Sequence, residues 1–234
     1  MLERKKLVIS KAQIAELKRK SPKLTTVIGS IFGEDSKKEA NYNRKAVKTL
    51  VEIERERVNT GMPPWPISDG AIDTYLRGAH EKAVDLYLLE KIQEAKKRGE
   101  KFKVLDVGIG NGNAWRDFFE KHNLKNGVDV DVFGTTLVRK SVTPTAKLHF
   151  HNRLRTTNAG NLANKFSDHT ASFDLILSRI ATYNEPLAFI ENAHALLKPG
   201  GELLSDLRNT DERRAKLTPY FESKHYNRMH LIKK

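Results

Sequence analysis

The sequence predicts an α/β protein in which a helical N-terminal extension precedes a doubly wound, mostly parallel sheet. Three observations support this fold class. Strand-like and helix-like segments alternate from Lys103 onward, an apolar strand over residues 104–107 breaks into a glycine-rich turn, and the chain before Gly70 is basic and helical in its apolar spacing. In sheets of this kind a ligand binds beyond the carboxyl ends of the strands, so we expect the functional site at that edge.

Residues 1–69 are predicted to be a basic helical segment followed by a proline-rich linker. Residues 11–20 and 42–58 carry apolar side chains at helical spacing among many charges. The linker contains Pro63, Pro64 and Pro66, which are excluded from helix interiors and central strands. An alternative for residues 14–31 is a helix-turn-helix, although their turn lacks a specifying glycine.

Residues 70–234 are predicted to form the α/β domain. A long amphipathic helix follows Gly70, carries apolar residues every three or four positions from Ile72 to Ile92, and ends near Gly99. The alternating elements then follow: strand 103–109, helix from Asn113, strand 125–131, helix to about 142, strand near 147–151, helix near 160–166, strand 173–180, helix 185–197, strand 201–207, helix 210–221 and a final strand near 224–233.

Composition removes several classes of function. The 234 residues include no cysteine, which excludes structural disulfides, cysteine-based zinc sites and cysteine nucleophiles. No apolar stretch approaches the roughly 20 residues of a membrane span, and the first 20 residues lack the apolar centre of a signal peptide, so we expect a cytoplasmic protein with no membrane partner. The formal net charge of +13 favours nucleic acid or acidic partners, but a lysine-rich surface also promotes solubility.

The turn after the first strand has the composition of a nucleotide-type cofactor site. Gly108, Gly110 and Gly112 accept backbone angles that side chains forbid and allow a ligand to approach the main chain. Asp106 precedes them, where its carboxylate can fix a cationic or polar group. The third glycine comes one residue too early for a dinucleotide fingerprint, and Asn113 stands at that position, so the pattern argues against hydride chemistry.

The second predicted strand ends in the carboxylates Asp129 and Asp131, roughly 20 residues beyond the glycine turn, where a ribose diol would lie. Asp129 is the predicted ribose ligand, and Asp131 is interpreted as a helix cap. His149 and His151 alternate along the predicted strand near 147–151 and would share a face, but neither has a visible third partner. No metal site is predicted.

The motifs together resemble the class I S-adenosylmethionine-dependent methyltransferases, which have a Rossmann-like fold. Their first motif is an acid followed by Gly-x-Gly-x-Gly, as in Asp106 to Gly112. Residues 173–178 resemble the family's fourth strand, and residues 196–201 resemble the turn into its fifth. The resemblance covers roughly residues 70–221, and this combination of motifs is more specific than any one of them.

The resemblance implies S-adenosylmethionine as the cofactor. The three glycines would line its methionine end, Asp106 would lie near its ammonium group, and Asp129 would bind the ribose hydroxyls. Asn158 and Ala159 occupy the place of an aspartate and a small residue that often hold the adenine, and Asn can still hydrogen-bond an adenine edge. The family's sheet closes with a sixth and an antiparallel seventh strand, whereas only one closing strand is recognisable here.

Catalytic residues are harder to predict, because methyl transfer depends on positioning and on deprotonation of the acceptor. The loop after the fourth strand contains Ser178, expected to line the cofactor, together with the candidates Arg179 and Tyr183. His151 is a third candidate. This loop lacks the Asn/Asp-Pro-Pro-Tyr/Phe signature of enzymes that methylate exocyclic amines of nucleobases, and the absence of cysteine excludes covalent C5-cytosine methylation.

Three functions remain open at this point. The favoured one is methyl transfer to an unidentified small-molecule or protein acceptor. The second is an RNA-directed methyltransferase that uses the basic surface, for which binding should weaken steeply with salt. The third is a protein that binds the cofactor without catalysis.

Overall fold

The computed structural model describes residues 52, 55, 72, 76, 79–178, 186–208, 210–224, 226 and 228–234. The predicted N-terminal helices, the helix-turn-helix alternative, the proline-rich linker and the boundary at residues 69 and 70 lie outside these residues. Among them, no helix is both long enough and apolar enough to cross a lipid bilayer.

The described chain confirms the predicted α/β class. Its strands and helices alternate as follows: α1 (Val84–Lys97), β1 (Phe102–Val107), α2 (Asn113–Lys121), β2 (Val130–Thr136), α3 (Pro144–Phe150), β3 (Leu154–Thr156), α4 (Leu162–Lys165), β4 (Phe173–Ser178), α5 (Pro186–Leu196), β5 (Leu197–Arg208), α6 (Asp211–Leu217), β6 (Phe221–Ser223) and β7 (Arg228–Lys233). Helix α1 ends beside Gly99 as predicted, but it begins only at Val84, after Ala83 in an extended conformation.

These strands form one seven-stranded sheet in the order β3-β2-β1-β4-β5-β7-β6. The first five strands run parallel, and β7 pairs antiparallel with both β5 and β6. The expectation of a single closing strand near 224–233 is therefore wrong. The chain turns between Ser223 and Arg228, and its own C-terminal hairpin completes the edge of the sheet.

Two hydrophobic cores cover the two faces of the sheet. Helices α1, α2 and α3 pack on one face through side chains that include Leu88, Trp115 and Phe150. Helices α4 and α5 pack on the other face around Phe189 and Ile190. Because successive strand residues point to opposite faces, buried strands contribute to both cores and are apolar almost throughout.

The second strand lies later in the chain than predicted. Residues 125–129 form a turn in which Gly127 has φ +87° and Asp129 N–H donates to the Lys125 carbonyl (2.9 Å). The Asn126 side chain caps this turn by bonding both backbone groups of Val132, at 2.7 and 2.9 Å. The pairing with β1 therefore begins at Val130 and continues to Gly134.

The prediction of a strand near 147–151 is also wrong. Thr143 accepts a hydrogen bond from the Ala146 N–H (3.3 Å) and Pro144 follows it, so a helix begins at this point. His149 lies in helix α3 and His151 in the following 3-10 turn, and they do not share a strand face.

Candidate functional site

The glycine turn leaves β1 and enters α2 in left-handed conformations. Gly108, Gly110 and Gly112 have φ angles of +87°, +59° and +80°. A Cβ atom at Gly112 would lie 2.8 Å from the Cβ of Ala146 in α3. This position therefore requires glycine both for its backbone angle and for the close approach of α3.

The end of β2 and the start of α3 hold the turn in place. The Gly108 N–H donates to Thr135 Oγ1 and the Ile109 N–H to the Thr135 carbonyl, each at 3.0 Å. The Thr143 N–H donates to the Asn111 carbonyl, also at 3.0 Å. Thr135 was missed by the sequence analysis, because a threonine inside a strand carries no signal of its own.

Asp106 lies fully buried beneath the turn. Its Oδ2 atom accepts a hydrogen bond from Trp115 Nε1 (2.6 Å), and its Oδ1 atom has no hydrogen-bond partner among the described residues. Burial raises the pKa of Asp106 from 3.8 to about 7, and the Trp115 hydrogen bond opposes this rise. The site therefore contains a carboxyl group that titrates near neutrality, with one oxygen left for a ligand.

Of the buried side-chain polar atoms that lack a hydrogen-bond partner in the described chain, four lie at or shortly after the carboxyl ends of four adjacent strands. Within the described chain they are Asp106 Oδ1 in β1, Ser141 Oγ after β2, Asn158 Oδ1 after β3 and Ser178 Oγ in β4. Buried polar atoms are rarely left unbonded in proteins. Their place along one edge of the sheet indicates a site for a ligand with several polar groups.

The predicted ligands Asn158, Ala159 and Ser178 thus lie at the same edge as the glycine turn. Backbone pairing places Ser178 beside Val107 at the end of β1. Ala159 is buried, and its carbonyl accepts a hydrogen bond from Asn192 Nδ2 (3.3 Å). Their contacts with a cofactor stay a prediction.

Two predicted site residues lie elsewhere. Asp129 precedes β2 at the amino-terminal edge, and its carboxylate accepts a hydrogen bond from the Lys125 N–H (2.8 Å). The ribose role predicted for it is wrong, because the strand that should end at Asp129 begins after it. His151 is exposed on the amino-terminal side of β3 and is not part of this edge. The candidates Arg179 and Tyr183 lie outside the described residues.

The carboxyl end of β2 therefore has no acidic side chain. Thr136 ends the strand, and its hydroxyl bonds the backbone of Val138. Asp131, interpreted from sequence as a helix cap, is instead the second residue of β2 and pairs with Arg153 (2.9 Å). A ribose bound here would meet hydroxyl and backbone groups rather than a carboxylate.

A second buried polar cluster, which the sequence analysis missed, joins α1 to β5 and β7. His230 Nε2 lies 2.6 Å from Glu202 Oε2, and Lys91 Nζ lies 3.6 Å from Glu202 Oε1. Burial raises the pKa of Glu202, but the hydrogen bond with His230 and the positive charge of Lys91 help to outweigh it, and the pKa lies at about 2. These residues come from distant parts of the sequence, and only the antiparallel β7 brings them together.

The described part of the chain contains no cluster of three or more histidine or acidic side chains placed to hold a metal ion.

Comparison with known proteins found a family model that matches the part of the chain from β1 to β5. Residues 105–205 match a family model described as a methyltransferase domain. A search of curated proteins found no match.

Solved structures with a similar fold include several methyltransferases. The magnesium protoporphyrin IX methyltransferase of Synechocystis PCC 6803, solved with bound S-adenosylmethionine, has 14% identity and a TM-score of 0.42, and the match covers 71% of this chain and 86% of that chain. For the methyltransferase CalH in complex with S-adenosylhomocysteine the identity is 14% and the TM-score 0.47, with 64% and 55% covered. Phosphoethanolamine N-methyltransferase 2 of Haemonchus contortus has 18% identity and a TM-score of 0.33, and the match covers 55% of this chain and 32% of that chain. For CalH and two further similar structures, the chain spans only about half of their length (45–55%).

Proposed function

We propose that the chain binds S-adenosylmethionine at the carboxyl edge of its sheet and transfers the methyl group to an acceptor, a function in keeping with the match of residues 105–205 to a methyltransferase-domain model. The observation that carries the proposal is the set of four unpartnered polar atoms at the ends of β1 to β4, next to the left-handed glycine turn. A ligand that bonds all four must be polar along its length, as a nucleoside joined to an amino acid is.

The residues present fit such a cofactor at three points. Asp106 Oδ1 is a free acceptor for the ammonium group of the methionine end. The left-handed turn at Gly110 lets that end approach the main chain. Asn158 Oδ1 is a free acceptor for the exocyclic amine of the adenine.

Bound S-adenosylmethionine supplies an electrophilic methyl group on a sulfonium, so the protein needs no nucleophile of its own. The described residues therefore bind and orient. Because the pKa of Asp106 is about 7, an ammonium group beside it favours the ionised carboxylate, and a proton leaves the carboxyl group when the cation binds below that pH. Ser178 contributes a hydroxyl at the end of β4.

The three functions left open by the sequence differ in the acceptor of the methyl group. The sequence favours a small molecule or a protein as acceptor, and the alternatives are RNA or no acceptor. His151, a predicted catalytic candidate, lies on the amino-terminal side of β3 and is not placed to act as a general base at this edge. The proposal therefore includes activity but leaves the acceptor atom to be measured.

Calorimetric titration with S-adenosylmethionine and S-adenosylhomocysteine tests the cofactor. Asn158→Ala should weaken binding about 3- to 10-fold, the value of one ordinary hydrogen bond of roughly 1 kcal/mol. The fold should be unaffected, since Asn158 Oδ1 has no partner to lose. Asn152→Ala, an exposed asparagine in the 3-10 turn before β3, is the matched control and should bind as the unmodified protein does.

A screen of small molecules, proteins and RNA with a labelled methyl donor then tests activity. Transfer to any acceptor supports an enzyme and excludes a protein that only binds the cofactor. Cofactor binding without transfer to any acceptor favours the non-catalytic alternative. If the unmodified protein binds neither cofactor form, the proposal fails at its first step.

A further inference from the structure

The loop that follows β2 carries two exposed cations at the point where the sheet has no ribose-binding acid. Arg139 and Lys140 begin the 3-10 turn Arg139–Ser141, and both are exposed. Within the described chain, neither side chain forms an ion pair or a hydrogen bond. Ser141 in the same turn is buried, and its Oγ atom has no partner there either.

The positive charge around this loop is not balanced by nearby acids in the sequence. Residues 132–167 contain no aspartate or glutamate but six lysines or arginines. Two of these six are neutralised by flanking acids, because Arg153 pairs with Asp131 and Arg155 pairs with Asp168, each at 2.9 Å. The loop cations therefore remain available.

Lys147 continues the positive surface along α3. It is the fourth residue of α3, is half-exposed and has no ion pair in the described part of the protein. Arg139, Lys140 and Lys147 are called the β2–α3 basic surface below. Uncompensated cations at a ligand-binding edge attract anions and are typical of phosphate-binding surfaces.

This surface borders the proposed cofactor site. Thr135, just before the loop, bonds the backbone of Gly108, and Thr143, just after it, bonds Asn111. Ser178 at the end of β4 is separated from β2 by β1 alone. At about 4.8 Å per strand, the ends of β2 and β4 are about 10 Å apart.

We propose that the β2–α3 basic surface binds phosphates of a single-stranded nucleic acid, and that this strand is the methyl acceptor. The second part rests on the proposed methyltransferase function. A strand with phosphates along its length can place one nucleotide near β4 while its neighbours contact Arg139 and Lys140 in the loop after β2. An unpaired strand is favoured, because a base in a duplex must first be flipped out of the stack at an energetic cost.

A membrane surface fits the same residues less well. Binding to a bilayer surface needs an apolar face beside the cations. Within the described chain, Leu148 is the one large exposed apolar side chain of α3. Helix α3 is also only seven residues long.

Fluorescence anisotropy with a labelled 20-nucleotide uridine oligomer and its deoxy counterpart tests the proposal without cofactor or turnover. Arg139→Gln/Lys140→Gln should weaken binding at least tenfold. The plot of log affinity against log salt concentration should become shallower by about 1.4, or 0.7 for each lost single-strand phosphate contact. Preference for one oligomer tells RNA from DNA.

Lys96→Gln/Lys97→Gln is the matched control, since it removes the same charge from an adjacent exposed pair at the far end of α1. It should change affinity less than twofold. Equal losses in the two double variants would mean that overall charge binds the oligomer, which would overturn the proposal. So would equally tight binding to phosphatidylserine vesicles, or displacement by poly-glutamate as effective as by unlabelled oligomer.

Cofactor titration of the same preparations keeps the two proposals separate. Unmodified protein that binds S-adenosylmethionine but neither oligomer overturns this inference alone. Protein that binds an oligomer through Arg139 and Lys140 but no cofactor supports the phosphate surface and overturns the methyltransferase proposal. Unchanged thermal unfolding of the double variant confirms that any loss is local.

Discussion

Replacing Asp106 by asparagine should make the protein more stable at alkaline pH and, at the same time, a weaker cofactor binder. Asp106 is fully buried, and its pKa is raised from 3.8 to about 7. This rise in the pKa corresponds to roughly 4 kcal/mol of folding free energy. Asparagine removes the buried charge and can still accept the hydrogen bond from Trp115 Nε1.

The sign of the pH effect follows from proton binding. Below pH 4 the carboxyl group is protonated in both the folded and the unfolded chain, so Asp106 imposes no penalty. Between pH 4 and 7 the unfolded chain releases the proton while the folded chain keeps it, and the free energy of unfolding falls as pH rises. Above pH 7 the full penalty of about 4 kcal/mol is present, and Asp106→Asn should remove most of it.

Urea denaturation of both proteins at pH 4.5 and pH 8, followed by circular dichroism, measures this difference. The gain from Asp106→Asn should be small at pH 4.5 and should grow to as much as about 4 kcal/mol at pH 8. A variant that is less stable than the unmodified protein at pH 8, or a difference that does not change with pH, would refute the reasoning.

The affinity for S-adenosylmethionine should change in the opposite direction. Loss of a charge-assisted hydrogen bond of about 1.5–3 kcal/mol predicts roughly 10- to 100-fold weaker binding at pH 8. Asp129→Asn is the control, because Asp129 lies at the other edge of the sheet and should leave the affinity unchanged. Equal losses in both variants would contradict the placement of the site.

Two further predictions concern the scaffold. Gly112→Ala should cost several kcal/mol of folding free energy and abolish cofactor binding, because Gly112 has φ +80° and the added Cβ would lie 2.8 Å from the Cβ of Ala146. Gly99→Ala is the control: Gly99 has φ +72° but open space around it, so the change should cost only about 1–2 kcal/mol. Thermal unfolding compares the two variants. Glu202→Gln should lower the free energy of unfolding by roughly 3 kcal/mol at pH 7. The pKa of Glu202 is about 2 in the folded protein, against an ordinary 4.5. The stabilisation from its carboxylate is therefore present above pH 4.5 and is lost as pH falls toward 2. Chemical denaturation at pH 7 and pH 2.5 checks this, and an equal loss at both pH values would argue against the lowered pKa of Glu202 as the source of the stabilisation.

Features that depend on neighbouring residues could be predicted from the sequence, whereas features that depend on long-range contacts could not. The first strand, its glycine turn and Asp106 are local in sequence, and the structure has them as predicted. Strand β2 was misplaced because its start depends on Asn126 bonding the backbone of Val132. That error moved the predicted ribose ligand to Asp129, at the wrong edge of the sheet.

The sequence by itself determined the alternation of strands and helices, the position of the glycine turn and the methyltransferase resemblance, because periodicity, glycine angles and motif spacing act over a few neighbouring residues. Only the tertiary structure decided that Trp115 bonds one oxygen of the buried Asp106, and that further unpartnered polar atoms lie toward the same edge of the sheet, at or after the ends of three other strands. It also decided the pairing of β7 between β5 and β6, which buries His230 against Glu202. These features depend on strand order, which brings together residues far apart in the chain, and on burial, which shifts the pKa of Asp106 by desolvation. No short sequence pattern encodes either one.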